Sequence, residues 1–177
     1  DPTRNDVYDD LTDVWYTVTT CPSNQQRLVV EILETTSADL DIYVGLGNTP
    51  SDSMLRAFAA GQGPMEYLSL FRPTFSGTCW ILVQNWESSE TGAEDSVKLA
   101  YGFVPRPGGD NYTITGPASV PAMAPFDVTV DWNLGGTYNT AEVWYGWFSL
   151  GSSASTTDDI GKLDFNLYKA SPGSVYL

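Results

Sequence analysis

Between Val14 and Val104 apolar and polar side chains change places residue by residue, and this period of two is the strongest limit on what the chain can become. Successive side chains of a strand point to opposite faces, so the pattern is that of sheets with one face buried. A helix needs a period of 3.6, and no run of ten residues or more carries it. The spacing predicts strands over 14–21, 26–34, 39–46, 54–60, 66–72, 79–87 and 96–104. Between them lie "CPSN", "GNTPSD", "GQGP", "PTFSG" and "ESSETGAED", rich in the Gly, Pro, Asn, Asp and Ser that turns require. An all-β protein is expected.

The densest Pro/Gly cluster, "PRPGGDN" at 105–111, marks a boundary near Gly108 and divides the chain into units 1–107 and 108–177. Beyond it "YTITG", "FDVTVDWN", "AEVWYGWFSLG" and "GKLDFNLYK" resume the alternation. The second unit is short of strands and is expected to lean on the first, or on a neighbour, to complete its core. The tail "SPGSVYL" (171–177) reads as loosely ordered.

With 177 residues and a net charge of -14, the chain repels phosphate backbones, so nucleic acid and anionic membrane are poor partners. No apolar run approaches the length of a membrane helix and no signal-peptide pattern opens the chain, which reads as a piece of something longer. The absence of histidine removes Ser-His-Asp and Cys-His catalysis, His-ligated zinc and any imidazole base. Carboxylate-only chemistry stays open. Cys21 and Cys79 are an even count in a composition suited to an extracellular β-protein; a disulfide between them would contribute about 4 kcal/mol, and separate buried thiols are the alternative.

Three segments carry a resemblance. "DDLTDVWYTVTTCPSNQQRLVVEIL", "ADLDIYV" and "FSGTCWILVQNW" follow the order of motifs in the bacterial pre-peptidase C-terminal domain, which residues 9–104 resemble. Cys79 stands where that family usually has an aromatic after Gly-Thr, and its acidic opening is reduced to "DPTRND". The second unit, through "VPAMAPFDVTVDWN" and "VWYGWFSLGSSASTTDDIGKLDFNLYK", is similar to the fibronectin- or immunoglobulin-like module that ends secreted subtilisin-like serine proteases. The resemblance implies two consecutive antiparallel β-sandwich domains, jelly-roll-like and then smaller and immunoglobulin-like. It also implies a secreted, non-catalytic accessory region whose partners are an upstream protease domain and an extended or insoluble protein substrate. A structural, export or calcium-dependent stabilising role and a carbohydrate-binding role are the alternatives.

In "SADLDIYVGLG", Asp39, Asp41 and Tyr43 share one strand face and Leu40, Ile42 and Val44 the other. Alternate carboxylates lie about 6.5–7 Å apart, a separation glycoside chemistry tolerates, but outward Asp on a sheet is ordinary, and a solvated or hydrogen-bonded face is expected, with calcium or another cation as the alternative. Asp6, Asp9, Asp10 and Asp13 in "DVYDDLTD" are the better metal candidates: calcium wants six to eight oxygens, and calcium-binding members of the resembled family use acidic residues before this strand. On "CWILVQNWE", Cys79, Ile81 and Val83 share a face, and the resemblance turns it inward. That leaves Trp80, Leu82 and Trp86 as an apolar stripe, either a binding surface or a seat for the second unit. Gly146 marks the close approach of a bulky neighbour, Asp158 and Asp159 either cap a turn or hold a cation, and Asn111-Tyr112-Thr113 fits a glycosylation acceptor.

Overall fold

Two central strands are buried on both faces, and that decides the architecture. On β2 (Gln25–Thr35), Leu28, Val30 and Ile32 face one way and Arg27, Val29 and Glu31 the other, yet all six are buried. On β6 (Gly77–Glu87), Ile81 and Val83 are opposed by Trp80, Leu82 and Gln84, again all buried. A two-layer sandwich would bury one face of each strand, so further layers must lie outside it.

The structure is a computed structural model, described over residues 6–106, 108, 111–135, 143–153 and 155–169. The opening residues 1–5 and the tail 171–177 lie outside the described residues. The described chain is all-β. Besides β2 and β6 it contains β1 (Trp15–Cys21), β3 (Asp39–Leu46), β4 (Leu55–Ala59), β5 (Tyr67–Phe71) and β7 (Val97–Pro105). After the boundary come β8 (Tyr112–Thr115), β9 (Thr129–Trp132), β10 (Val143–Leu150) and β11 (Gly161–Tyr168). Each lies within two residues of its predicted span or inside it.

All the pairings between these strands are antiparallel, in sheets ordered β1-β6-β3-β4 and β5-β2-β7, with hairpins β8-β9 and β10-β11. The first two sheets face each other across a core of Leu28, Val30, Ile32 and Leu68 from one and Leu40, Ile42, Val44, Ile81 and Val83 from the other. This is a β-sandwich. Cys21 and Cys79 form a disulfide, with Cα atoms 5.9 Å apart, that ties β1 to β6.

Each outer face has its own cover. The β6 side is covered by the segment before β1: Val7, Tyr8, Leu11 and Val14 pack against Trp80 and Leu82. The β2 side is covered by the β10-β11 hairpin, held by a guanidinium. Arg27 is fully buried; its Nε donates to Ser69 Oγ (3.0 Å), and Nη1 donates to the carbonyls of Gly146 (3.1 Å) and Phe165 (3.2 Å) and to Asn166 Oδ1 (2.9 Å). Its Nη2 pairs with Asp164 at 2.7 Å and donates to the Tyr67 hydroxyl, while the Tyr145 ring lies 5.8 Å away. Glu31 beside it accepts hydrogen bonds from Tyr145 (2.6 Å) and Tyr168 (2.9 Å). Burying the charges of Arg27 and Glu31 is tolerable because both are hydrogen-bonded on several sides.

The β10-β11 hairpin therefore leans on the β5-β2-β7 sheet. A side chain at Gly102 of β7 would strike the Tyr145 ring at 2.5 Å, so this glycine lets the hairpin lie close to β7; one at Gly146 would strike the ring of Phe165, its cross-strand partner within the hairpin. At the far end of the hairpin, Asp158 pairs with Arg72 at 2.8 Å, and Asp159 accepts from the Ser152 amide and hydroxyl, which closes its loop.

Candidate binding groove

Trp80 and Leu82 are fully buried, which corrects their expected place on an exposed stripe. The physical reason is local. The segment before β1 supplies the apolar cover that the alternation of β6 demanded over Trp80 and Leu82. The Trp80 ring lies over Gly45, where a Cβ would come within 2.1 Å of it, and its indole N–H donates to the Leu46 carbonyl at 3.0 Å. Trp80 and Leu82 are thus floor rather than contact surface. Trp86, the third member, is only partly buried and lines an open groove.

The groove has a volume of about 420 Å³ and is walled by Asp6, Val7, Tyr8, Tyr43, Asp52, Leu55, Gln84 and Trp86. It is built by the covering segment, the short 3-10 turn Asp52–Met54, the start of β4 at Leu55, and the outer faces of β3 and β6. Its rings are interlocked. Tyr8 meets Trp80 edge-on at 6.0 Å and Tyr43 at 6.4 Å, and Tyr43 stacks on the exposed Phe58 at 6.2 Å. The Tyr43 hydroxyl lies 3.1 Å from Gln84 Oε1 and 3.3 Å from Asp41 Oδ2 and has one proton to share between them. Burial, then the Asp41 charge, pushes the Tyr43 phenol well above its ordinary range.

Charge gathers at the same place. Asp6 and Asp52 are exposed at the rim, and the Tyr8 hydroxyl is buried with no hydrogen-bond partner among the described residues. Burial first, then the Asp52 and Asp6 carboxylates, pushes Tyr8 up to about 12. Behind Tyr43, Asp41 is 6% exposed and its carboxyl is pushed up to about 6, by burial first and then by Asp39 and Glu66; the Tyr43 hydroxyl opposes this. Asp39 and Glu66 hold the 60–66 loop through the amides of Gly63 (3.0 Å) and Gly61 (2.8 Å). Of the two expected versions of this strand face, the hydrogen-bonded one describes Asp41.

The four carboxylates of the opening segment do not converge. Asp6 Oδ1 accepts from the Tyr8 amide at 2.9 Å, and Asp10 Oδ1 accepts from the amide (2.9 Å) and hydroxyl (2.7 Å) of Thr12. The Asp9 and Asp13 amides close the same two turns onto the carbonyls of Asp6 and Asp10. Asp6 and Asp10 each give one carboxylate oxygen to a turn, and among the described residues no three His, Cys, Asp or Glu side chains are grouped to hold a metal ion. Asn111 of the possible glycosylation acceptor is exposed. No helix among the described residues is long and apolar enough to cross a membrane.

Sequence reasoning finds Trp86 and misses Tyr8 and Asp52. Tyr8 sits in a stretch without periodicity, and Asp52 reads as an ordinary turn residue. Gln84 is reachable from the strand pattern, which sets it on the Trp80 face, but nothing in that pattern marks it as part of a groove. Comparison with family models, curated proteins and solved structures returns no match.

Proposed function

We propose that this chain is a non-catalytic accessory region of a secreted subtilisin-like serine protease and that it holds the enzyme on protein substrate. The support is the ordered resemblance of residues 9–104 and of the second unit, a disulfide-bonded all-β fold, and a chain without histidine. One observation carries the binding part of this reading. An open groove lined by Tyr8, Tyr43 and Trp86 stands on a floor that packing holds rigid, and such preformed aromatic surfaces bind at low entropic cost. Trp86 replaces Trp80 and Leu82 as the anchor.

The test is retention of the purified chain on collagen, casein, chitin and cellulose particles, each with and without a calcium chelator. Retention on protein particles, lost in Trp86→Ala, is the expected result. Retention on chitin or cellulose alone would select a carbohydrate-binding module. No retention, with a melting temperature that falls on chelation, would select a calcium-dependent stabilising role.

A further inference from the structure

Resting on the reading of this groove as a protein-binding site, we infer that its occupant is a cationic side chain, a lysine or arginine presented by an extended segment of the bound protein. The aromatic walls of Tyr8, Tyr43 and Trp86 and the rim carboxylates of Asp6 and Asp52 together form a cation site. Ring faces attract an ammonium or guanidinium through their quadrupole, and the apolar stem of Lys or Arg suits a wall that includes Val7 and Leu55. Neither kind of group would suffice alone. Aromatics alone would equally serve a sugar, and carboxylates alone would be a solvated patch.

The charge balance favours the cation over a neutral ligand. Among the described residues no Lys or Arg lines the groove; Arg56 on neighbouring β4 turns its guanidinium to the Leu55 carbonyl at 2.8 Å. Asp6 spends one carboxylate oxygen on the Tyr8 amide and keeps the other, and Asp52 accepts no side-chain hydrogen bond among the described residues. Their negative field reaches the Tyr8 phenol, whose buried hydroxyl has no hydrogen-bond partner among the described residues. A bound cation offsets that field. With a net charge of -14, the whole chain also draws basic segments toward itself before contact.

The probe is acetyl-Gly-Lys-Gly-amide, with the norleucine peptide as a control of the same stem without the charge, titrated while the Trp86 indole N–H resonance is followed. The lysine peptide is expected to shift that resonance and to bind about tenfold more tightly than the norleucine peptide, and Asp52→Asn to weaken it by about tenfold. Glu90→Gln, which removes one charge from an exposed loop that does not line the groove, should leave the affinity unchanged. Equal binding of the two peptides, or an equal loss in Glu90→Gln and Asp52→Asn, would overturn the assignment. If protein particles retain the chain through Trp86 while the lysine peptide shows no preference, the cation assignment alone falls. If the peptide binds as described and no particle retains the chain, the targeting role falls and the cation site stands.

Discussion

Replacing Asp41 by asparagine should make the protein more stable at neutral pH. The Asp41 carboxyl is buried beside two other acids, Asp39 and Glu66, and one donor, the Tyr43 hydroxyl, only partly compensates. Its pKa stands at about 6 in the folded chain against an ordinary value of 3.8. A raised carboxyl pKa means that the folded state holds the proton more tightly than the unfolded state. Its contribution to stability is complete below about pH 3.8 and is lost as the pH rises through about 6. The shift corresponds to about 2 kcal/mol once solvent screening is allowed for. An asparagine cannot ionise, yet its carbonyl still accepts from Tyr43. Urea denaturation of the parent and of Asp41→Asn from pH 3.5 to 8 should therefore give equal stabilities at the acid end. Above about pH 7 the variant should lead by about 2 kcal/mol, or about 6 °C in Tm. A variant less stable than the parent at pH 8, or a difference that does not change with pH, would refute this account of the strand face.

Three further outcomes follow from the packing. The Cys21–Cys79 bridge spans 58 residues, so replacing both cysteines by alanine should cost about 4 kcal/mol in urea or guanidinium denaturation. Arg27→Ala should cost about 4 kcal/mol and expose the amides of β10 and β11 to hydrogen exchange, because it leaves the Gly146 and Phe165 carbonyls and Asn166 Oδ1 without their buried donor; Asp164→Asn, at a half-exposed partner, should cost less than about 1 kcal/mol. Gly146→Ala should cost about 2 kcal/mol by driving a methyl into the Phe165 ring, and a neutral result would mean that the hairpin shifts more freely than its packing implies.

The strands are legible in the sequence because the two-residue period is a local property. Leu40, Ile42 and Val44 have to be core once the polar set is seen opposite them, and Gly146, small amid large strand residues, marks the approach of a bulky neighbour, which is the Phe165 ring of β11. What covers the outer faces is not legible. The hairpin partners of Arg27 and Glu31 lie more than a hundred residues away in sequence, so nothing near them announces that two charges on a central strand are buried. The Trp80 face misleads for a related reason. Its cover is an irregular stretch, Val7 to Val14, in which apolar residues fall at turn positions with no period to count. The groove inherits this blind spot, since it forms where that irregular cover stops short of Trp86.

The most direct trial of the proposed role compares binding isotherms of the parent chain, Trp86→Ala and Trp15→Ala on collagen and casein particles. Trp15 is an exposed tryptophan that does not line the groove, so it controls for general stickiness. Saturable retention of the parent and of Trp15→Ala, with that of Trp86→Ala reduced by about tenfold or more, is the predicted result. Equal retention of all three would contradict a groove-borne targeting function.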